Sequence, residues 1–354
     1  MGGPAIRTVD QRVPGAPTAR GTARRPFVNP GWRWVGAEGR AGRYARGPMS
    51  DTVSDEPIGV VDPLARPDGP WATIRAYVAL TKPRIIELLL ITTLPAMVLA
   101  ADGWPGTWLV LTTLIGGTLS AGGANAINNY VDRDIDPKMR RTHRRPLARA
   151  HVPADRALDF GIGLGVAGFL WLWWQTNLLA ASLSTAALLF YVFVYTIGMK
   201  RTTPQNIVIG GAAGAAPVLV GWSAVTGSLD LSAWIMFAVV FFWTPPHFWA
   251  LALRYKEDYA AAGVPMLPVV AGDERTIRSI IRYAAALWLV TLLLWPAASM
   301  GWVYLAGAGA IGGWFLVETI RLIRSPDRAM RVFHVSTYHL ALWSAAIVVD
   351  VFVG

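Results

Sequence analysis

Nine stretches of the chain are almost unbroken runs of apolar residues, at about 84–101, 107–131, 156–175, 177–197, 206–225, 230–253, 279–299, 301–322 and 333–353. Within them the apolar residues come in blocks, not at the three-and-four spacing of a helix with one wet face. Blocks of roughly 18 or more apolar residues are long enough to cross a bilayer as helices. The pattern therefore predicts an all-α membrane protein with nine transmembrane helices.

The connections alternate in character. Ala101–Trp104, Gln175–Asn177, Thr226–Ser228 and Ser299–Gly301 follow the odd-numbered spans and carry almost no charge. The connections after the even-numbered spans are basic. They hold Lys138, Arg140, Arg141, Arg144, Arg145 and Arg149; then Lys200 and Arg201; then Arg254, Lys256, Arg275 and Arg278; then Arg321, Arg324, Arg328 and Arg331. Short loops rich in Lys and Arg stay in the cytoplasm. With nine spans, all four basic loops fall on one side, which predicts a cytoplasmic N-terminus and an outward C-terminus.

Composition agrees. Of the 354 residues, 54% are hydrophobic and 15% charged, against about a quarter charged in a soluble protein. The absence of cysteine excludes disulfides, zinc ribbons, iron–sulfur clusters and thiol catalysis. A formal net charge of +10 raises the question of nucleic acid, but the excess sits in the loops and in a leader. Residues 1–66 scatter arginines such as Arg7, Arg24, Arg25 and Arg43 among Gly and Pro with no apolar period. Such a segment cannot bury a core and is expected to be disordered, leaving 67–354 as the membrane domain. The leader has no apolar signal region and makes a poor amphipathic transit peptide. A bacterial plasma membrane is thus favoured over the mitochondrial inner membrane, and Met49 is a candidate start.

The candidate chemistry lies at the inner end of the second span, in Asn125-Ala-Ile-Asn128-Asn129-Tyr130-Val131-Asp132-Arg133-Asp134-Ile135-Asp136-Pro137. Asn128, Asp132 and Asp136 recur every fourth residue, which places them along one helix face about 6 Å of rise apart. Pro137 disfavours helical geometry at Asp136 and marks the helix end. A helix C-terminus carries partial negative charge and repels carboxylates, so stacked acids there suit a divalent cation. Hard oxygen donors without Cys favour Mg²⁺, which completes its shell with water and phosphate oxygens. The following Arg140, Arg141, Arg144 and Arg145 fit phosphate neutralisation. The plainer alternative is a solvated helix end whose acids pair with those arginines.

A second acidic group, Arg254-Tyr255-Lys256-Glu257-Asp258-Tyr259, ends the sixth span on the same expected side. Two such groups can bridge two Mg²⁺ ions across one diphosphate and promote loss of it from an allylic carbon. Asp132, Asp136 and Asp258 are the candidate catalytic acids, with Asn128 beside them as a metal ligand. Lys200 and Arg201, together with Arg141 and Arg145, are candidate phosphate contacts. A polytopic transporter is the rival reading from another class, although its polar sites belong at the midplane. The Gly210–Gly214 run lacks the preceding strand that a phosphate loop needs and reads better as close helix packing.

Asn128-x3-Asp132-x3-Asp136 at the end of a second helix resembles the first aspartate-rich motif of the UbiA superfamily of intramembrane prenyltransferases. Several further stretches are similar to the haem-prenylating branch of that superfamily. They are Leu80-Thr81-Lys82-Pro83-Arg84, Met139-x-Arg141-Thr142-x2-Arg145-Pro146-Leu147, Lys200-Arg201-x-Thr203-Pro204-Gln205-Asn206, Pro245-Pro246-His247-Phe248-Trp249 and Pro265-Met266-Leu267-Pro268. The resemblance runs from about residue 75 to the C-terminus. It implies transfer of farnesyl from farnesyl diphosphate to a vinyl group of protohaem IX, with Mg²⁺ as cofactor and water completing the side chain of haem O. It also implies a downstream haem A synthase as a partner. Sibling enzymes acting on a quinone precursor or chlorophyllide are the nearer alternative.

One departure stands out. Many relatives carry two aspartates four apart in the second motif, whereas Arg254 stands four before Asp258. Glu257 is a possible substitute for the missing acid. The resemblance also singles out His247, an intramembrane histidine behind a Pro-Pro step that should bend or open its helix. A role near the porphyrin, by iron ligation or a propionate contact, competes with a hydrogen bond to a freed backbone carbonyl. His334 and His339 are weaker candidates of the same kind.

Overall fold

The computed structural model describes residues 32–35, 43–46 and 69–353. The expected disorder of 1–66 and the candidate start at Met49 lie outside the described residues, apart from two short strands. These strands, β1 (Trp32–Val35) and β2 (Arg43–Arg46), pair antiparallel with Trp32 opposite Arg46 and Trp34 opposite Tyr44.

The membrane unit is wholly helical. A short helix α1 (Pro70–Leu80) precedes α2 (Pro83–Ala100), with Lys82 between them in the left-handed region (φ 55°, ψ 63°). Then come α3 (Thr107–Val131), α4 (Ala154–Gln175), α5 (Leu178–Leu189), α6 (Asn206–Thr226) and α7 (Leu231–Arg254). The chain ends with α8 (Lys256–Ala261), α9 (Leu267–Ala297), α10 (Trp302–Ile320) and α11 (Ala329–Val353).

Eight helices among the described residues are long and apolar enough to cross a membrane, and they coincide with the second to ninth expected spans. The first expected span forms α2, whose apolar stretch is the shorter Ile91–Ala100, behind Arg84 and Glu87. Arg84 and Glu87 are both exposed. Gly272 (φ 77°, ψ 170°) breaks α9 near its start, so the apolar part follows the break, as the expected 279–299 requires.

Helices differ in how they are enclosed. The apolar windows of α3, α6 and α7 are 61% buried, against 22% for α4 and 28% for α9, so the first three form the inside of the bundle. Small residues allow the close approach this needs. At the α3–α4 crossing, a Cβ added at Gly123 would stand 2.6 Å from the Gly161 carbonyl oxygen. At Gly210 on α6 it would stand 2.3 Å from the Tyr195 ring, which gives the glycine run a packing role.

The Pro-Pro step was expected to bend or open the sixth span, and it does not open it. Instead α7 runs without interruption through Pro245 and Pro246. Its partners α6, α9 and α11 flank it on several sides and hold it in register.

Candidate active site

Helix α3 ends one residue before the first acid, with Asp132 as its C-cap (φ −86°, ψ 3°). Four-residue bonding nonetheless carries on past the end. The Asp132 amide donates to the Asn128 carbonyl and the Asp136 amide to the Asp132 carbonyl, each at 2.9 Å. Asp136 and Pro137 then open a tight 3₁₀ turn, Asp136–Lys138. The row Asn128, Asp132, Asp136 therefore survives as expected, but on a helix end that has already begun to unwind.

All three side chains are buried, and a buried carboxylate needs a partner. Asp132 pairs with Lys200, with Arg201 further off at 3.7 Å. Asp136 takes Arg145 Nη1 on both oxygens at 2.9 Å. Asp258, on α8, accepts from Arg140 Nε at 2.8 Å. The short loop after α3 thus supplies cations to both acidic groups. Burial lowers the Lys200 ammonium from its ordinary value despite Asp132, and the Asp258 bond raises the Arg140 guanidinium.

Asn128 is bonded on both sides. Its amide nitrogen donates to Asp132 Oδ2 (2.9 Å) and Thr196 Oγ1 (3.1 Å), and its oxygen accepts from Lys82 Nζ at 2.6 Å. Burial, followed by the repulsion of Arg145 and Lys200, pushes the Lys82 ammonium well below the usual lysine range. Lys82 stood inside a quoted motif, but nothing in the spacing pointed it at Asn128. The left-handed backbone at Lys82 does so, a conformation that costs a non-glycine residue roughly 1 kcal/mol or more and is typical of functional sites.

Beyond Leu189 the fifth element continues as a π-helix, Phe190–Met199. Its wider turn is seen in the Lys200 amide bonding the Tyr195 carbonyl five residues back, at 2.8 Å. That turn puts Tyr191 and Tyr195 on the wall of a cavity with Lys200, their rings stacked at 5.2 Å. Hydrophobic periodicity does not reveal a π-helix: Tyr195 heads the stretch Tyr195-Thr196-x3-Lys200-Arg201 that carries the resemblance, but the sequence assigned no role to it or to Tyr191. Such segments recur at functional sites.

The cavity has a volume of about 510 Å³. Its wall includes the polar side chains of Lys82, Asn128, Asp136, Arg141, Arg145 and Lys200 and the apolar ones of Trp243, Phe248, Phe333 and Leu340. Arg141 reaches Tyr259 Oη at 3.5 Å. His247 lines the same cavity, and its Nδ1 lies 2.7 Å from Ser336 Oγ on α11, not on a carbonyl freed by the prolines.

Besides Asp132 and Asp258, which are not on the cavity wall, four expected residues lie elsewhere. Arg201 is clamped by Asp134 through two 2.7 Å bonds and by the Val131 carbonyl at 3.0 Å, away from the cavity wall. That clamp lowers the Asp134 carboxyl. Glu257 points to solvent at 93% exposure and makes a 3.9 Å contact with Arg140, so it does not converge with Asp258. His339 is buried beside Phe315 with Nδ1 unpartnered, and His334 stacks edge-on to Phe333. Neither is part of the cavity wall.

The donor set fits Mg²⁺. Among the described residues no three acidic, His or Cys side chains form a metal cluster. Mg²⁺ does not need one, since one or two carboxylates plus phosphate and water oxygens suffice. Asp132 Oδ1, with Arg201 Nη2 at 3.7 Å, and Asp258 Oδ2 are buried without a hydrogen-bond partner, which leaves in each acidic group a hard oxygen that no close donor occupies.

Buried acids at two helix ends, matched by cations at the mouth of an apolar intramembrane cavity, define a membrane enzyme for an amphiphilic phosphate ester. The chain belongs to the UbiA prenyltransferase family, which it matches over residues 89–344. Similar proteins named protoheme IX farnesyltransferase occur in several bacteria. That of Frankia alni is 56% identical over 78% of this chain and 98% of its own length. That of Mycobacterium avium is 52% identical over 84% of this chain and 97% of its own. Solved folds agree. A digeranylgeranylglyceryl phosphate synthase superposes with a TM-score of 0.66 at 17% identity, covering 79% of this chain and 98% of that one. A UbiA homologue from Archaeoglobus fulgidus bound to GPP and Mg²⁺ superposes with a TM-score of 0.60 at 18% identity, over 77% and 99%.

Proposed function

We propose that this chain transfers the farnesyl group of farnesyl diphosphate to a vinyl group of protohaem IX, releasing diphosphate and giving haem O. The observation that carries the reading is one cavity whose wall joins the cations Lys82, Arg141, Arg145 and Lys200 and the buried acid Asp136 to the aromatic rings of Trp243, Phe248 and Phe333. The relatives' shared name favours the haem acceptor over a quinone precursor or chlorophyllide. The gathering of acids at helix ends, not at mid-membrane, argues against a transporter.

The roles follow from chemistry. Asp132, Asp136 and Asp258 would hold Mg²⁺, two ions in this reading, with Asn128 fixing Asp132 through its amide. Bound Mg²⁺ would neutralise the diphosphate and assist cleavage of the allylic C–O bond. Lys82, Lys200, Arg141 and Arg145 offer N–H donors to the phosphate oxygens. Arg201 acts through Asp134 and the Val131 carbonyl to steady the end of α3. The Tyr191 and Tyr195 rings line the region where positive charge develops on the farnesyl carbon and can stabilise it through their faces. The diphosphate leaves with the C–O electron pair, the vinyl π pair forms the new C–C bond, and water supplies the hydroxyl. We place this face in the cytoplasm of a bacterial cell, on the charge of the even-numbered loops, and a haem A synthase downstream of it.

The test is haem analysis of membranes from a strain lacking this gene. Haem O and haem A should disappear and return when the gene is restored, and their persistence at normal levels would contradict the proposal.

A further inference from the structure

His247 is restrained on every side but one. Trp243 stacks on one face at 4.3 Å between ring centres (22° between planes), and Phe333 stacks on the other at 4.3 Å (28°). Phe248 meets it edge-on at 5.3 Å. On one edge, Nδ1 lies 2.7 Å from Ser336 Oγ.

Hydrogen-bond accounting fixes the tautomer. A serine hydroxyl has one hydrogen to give, and Ser336 Oγ gives it to the Phe333 carbonyl at 2.7 Å. Toward His247 it can therefore only accept, so the proton of the neutral ring is on Nδ1. Ser336 is itself held in place, its carbonyl accepting from Trp243 Nε1 at 2.6 Å. Nε2 is then left with an in-plane lone pair on a ring that lines the cavity. The two stacked rings keep that lone pair from swinging out of plane. A hydrogen bond donated from one nitrogen to fix the other is the arrangement that metal-binding histidines share. A purely structural histidine has no use for a clamp that commits one nitrogen and leaves the other facing open volume.

We propose that His247 Nε2 is the axial ligand to the iron of the tetrapyrrole acceptor, with Ser336 as the residue that positions it. The Nε2 lone pair forms a coordinate bond to iron, with no bond broken and no change in oxidation state. The ligand sets the depth of the macrocycle between α7 and α11 and holds it among Trp243, Phe248 and Phe333. The inference rests on the haem acceptor proposed above and goes beyond it in naming the atom that captures the substrate.

The test is a titration of the purified full chain in lipid nanodiscs with ferric haem and, separately, with metal-free protoporphyrin IX, without farnesyl diphosphate. The wild type should bind haem at least tenfold more tightly than the metal-free ring and show the absorption and spin-resonance signature of a nitrogen-ligated ferric haem. His247→Asn keeps a donor at the Nδ1 position for Ser336 but removes Nε2, so it should lose both the signature and the preference for iron. Added imidazole should restore the signature in His247→Gly. An unchanged spectrum in His247→Asn, or equal affinity of the wild type for the two rings, would overturn the proposal while leaving the acceptor intact. Failure of the wild type to bind either ring would overturn the acceptor reading together with it. The wild-type comparison decides the matter even where a variant unfolds.

Discussion

Arg140 Nε stands 2.8 Å from Asp258 Oδ1, joining residues 118 positions apart in the chain. Through this bond the loop after α3 closes onto the second acidic group, and the two motifs of the site become one unit. Arg140 is 72% exposed and Asp258 only 7%, so the arginine serves mainly as the cap on a buried carboxylate. Arg140→Ala should speed hydrogen exchange across residues 139–151 and lower turnover several-fold, because an uncompensated buried charge is costly. Adding Asp258→Asn should restore slow exchange in that loop without restoring turnover. A double variant that exchanges as fast as Arg140→Ala alone would contradict the latch.

Asp132→Ala and Asp258→Ala should each reduce farnesyl transfer at least 100-fold while the protein still elutes as a folded species. A loss of that size corresponds to roughly 3 kcal/mol of transition-state stabilisation. Near-wild activity in either variant would remove that acid from the mechanism.

Chelation of divalent metal should abolish transfer, and Mg²⁺ should restore it. Calorimetric Mg²⁺ binding in the presence of a non-hydrolysable farnesyl diphosphate analogue should be lost in Asp132→Asn. Transfer that persists in excess EDTA would show that the two carboxylate oxygens without a hydrogen bond serve some other purpose.

Gly210→Ala tests the packing behind the two tyrosines. The new Cβ would stand 2.3 Å from Tyr195, so the ring must move. Overpacking of this kind costs about 1–3 kcal/mol and should lower the thermal midpoint in detergent. Turnover should fall further than stability accounts for, because Tyr195 lines the cavity. An unchanged midpoint and rate would mean that the π-helix gives way freely.

Much of this architecture was legible in the chain. Long apolar blocks announced the spans, and α3 to α7 and α9 to α11 fall where hydropathy put them, because a helix in lipid needs little beyond length and composition. The row Asn128, Asp132, Asp136 could be read from its spacing, as could the gathering of basic residues around it. Other features depend on contacts that spacing does not encode. Tyr191 and Tyr195 reach the cavity through a five-residue bonding pattern with no signature in the apolar period. Lys82 reaches Asn128 through a left-handed backbone just before Pro83. Arg201 looked like a phosphate contact but is held by Asp134, since an exposed carboxylate two residues from Asp132 competes for the same guanidinium. The Pro-Pro step was expected to bend or open its helix; α7 stays continuous through it, and His247 bonds Ser336 instead of a freed carbonyl.

The most direct test is reconstitution of the purified chain with farnesyl diphosphate, Mg²⁺ and haem, with products resolved by mass spectrometry. The account predicts haem O and one diphosphate released per haem consumed, with no prenylated product when 4-hydroxybenzoate replaces haem. Prenylated 4-hydroxybenzoate, with haem left unchanged, would contradict it.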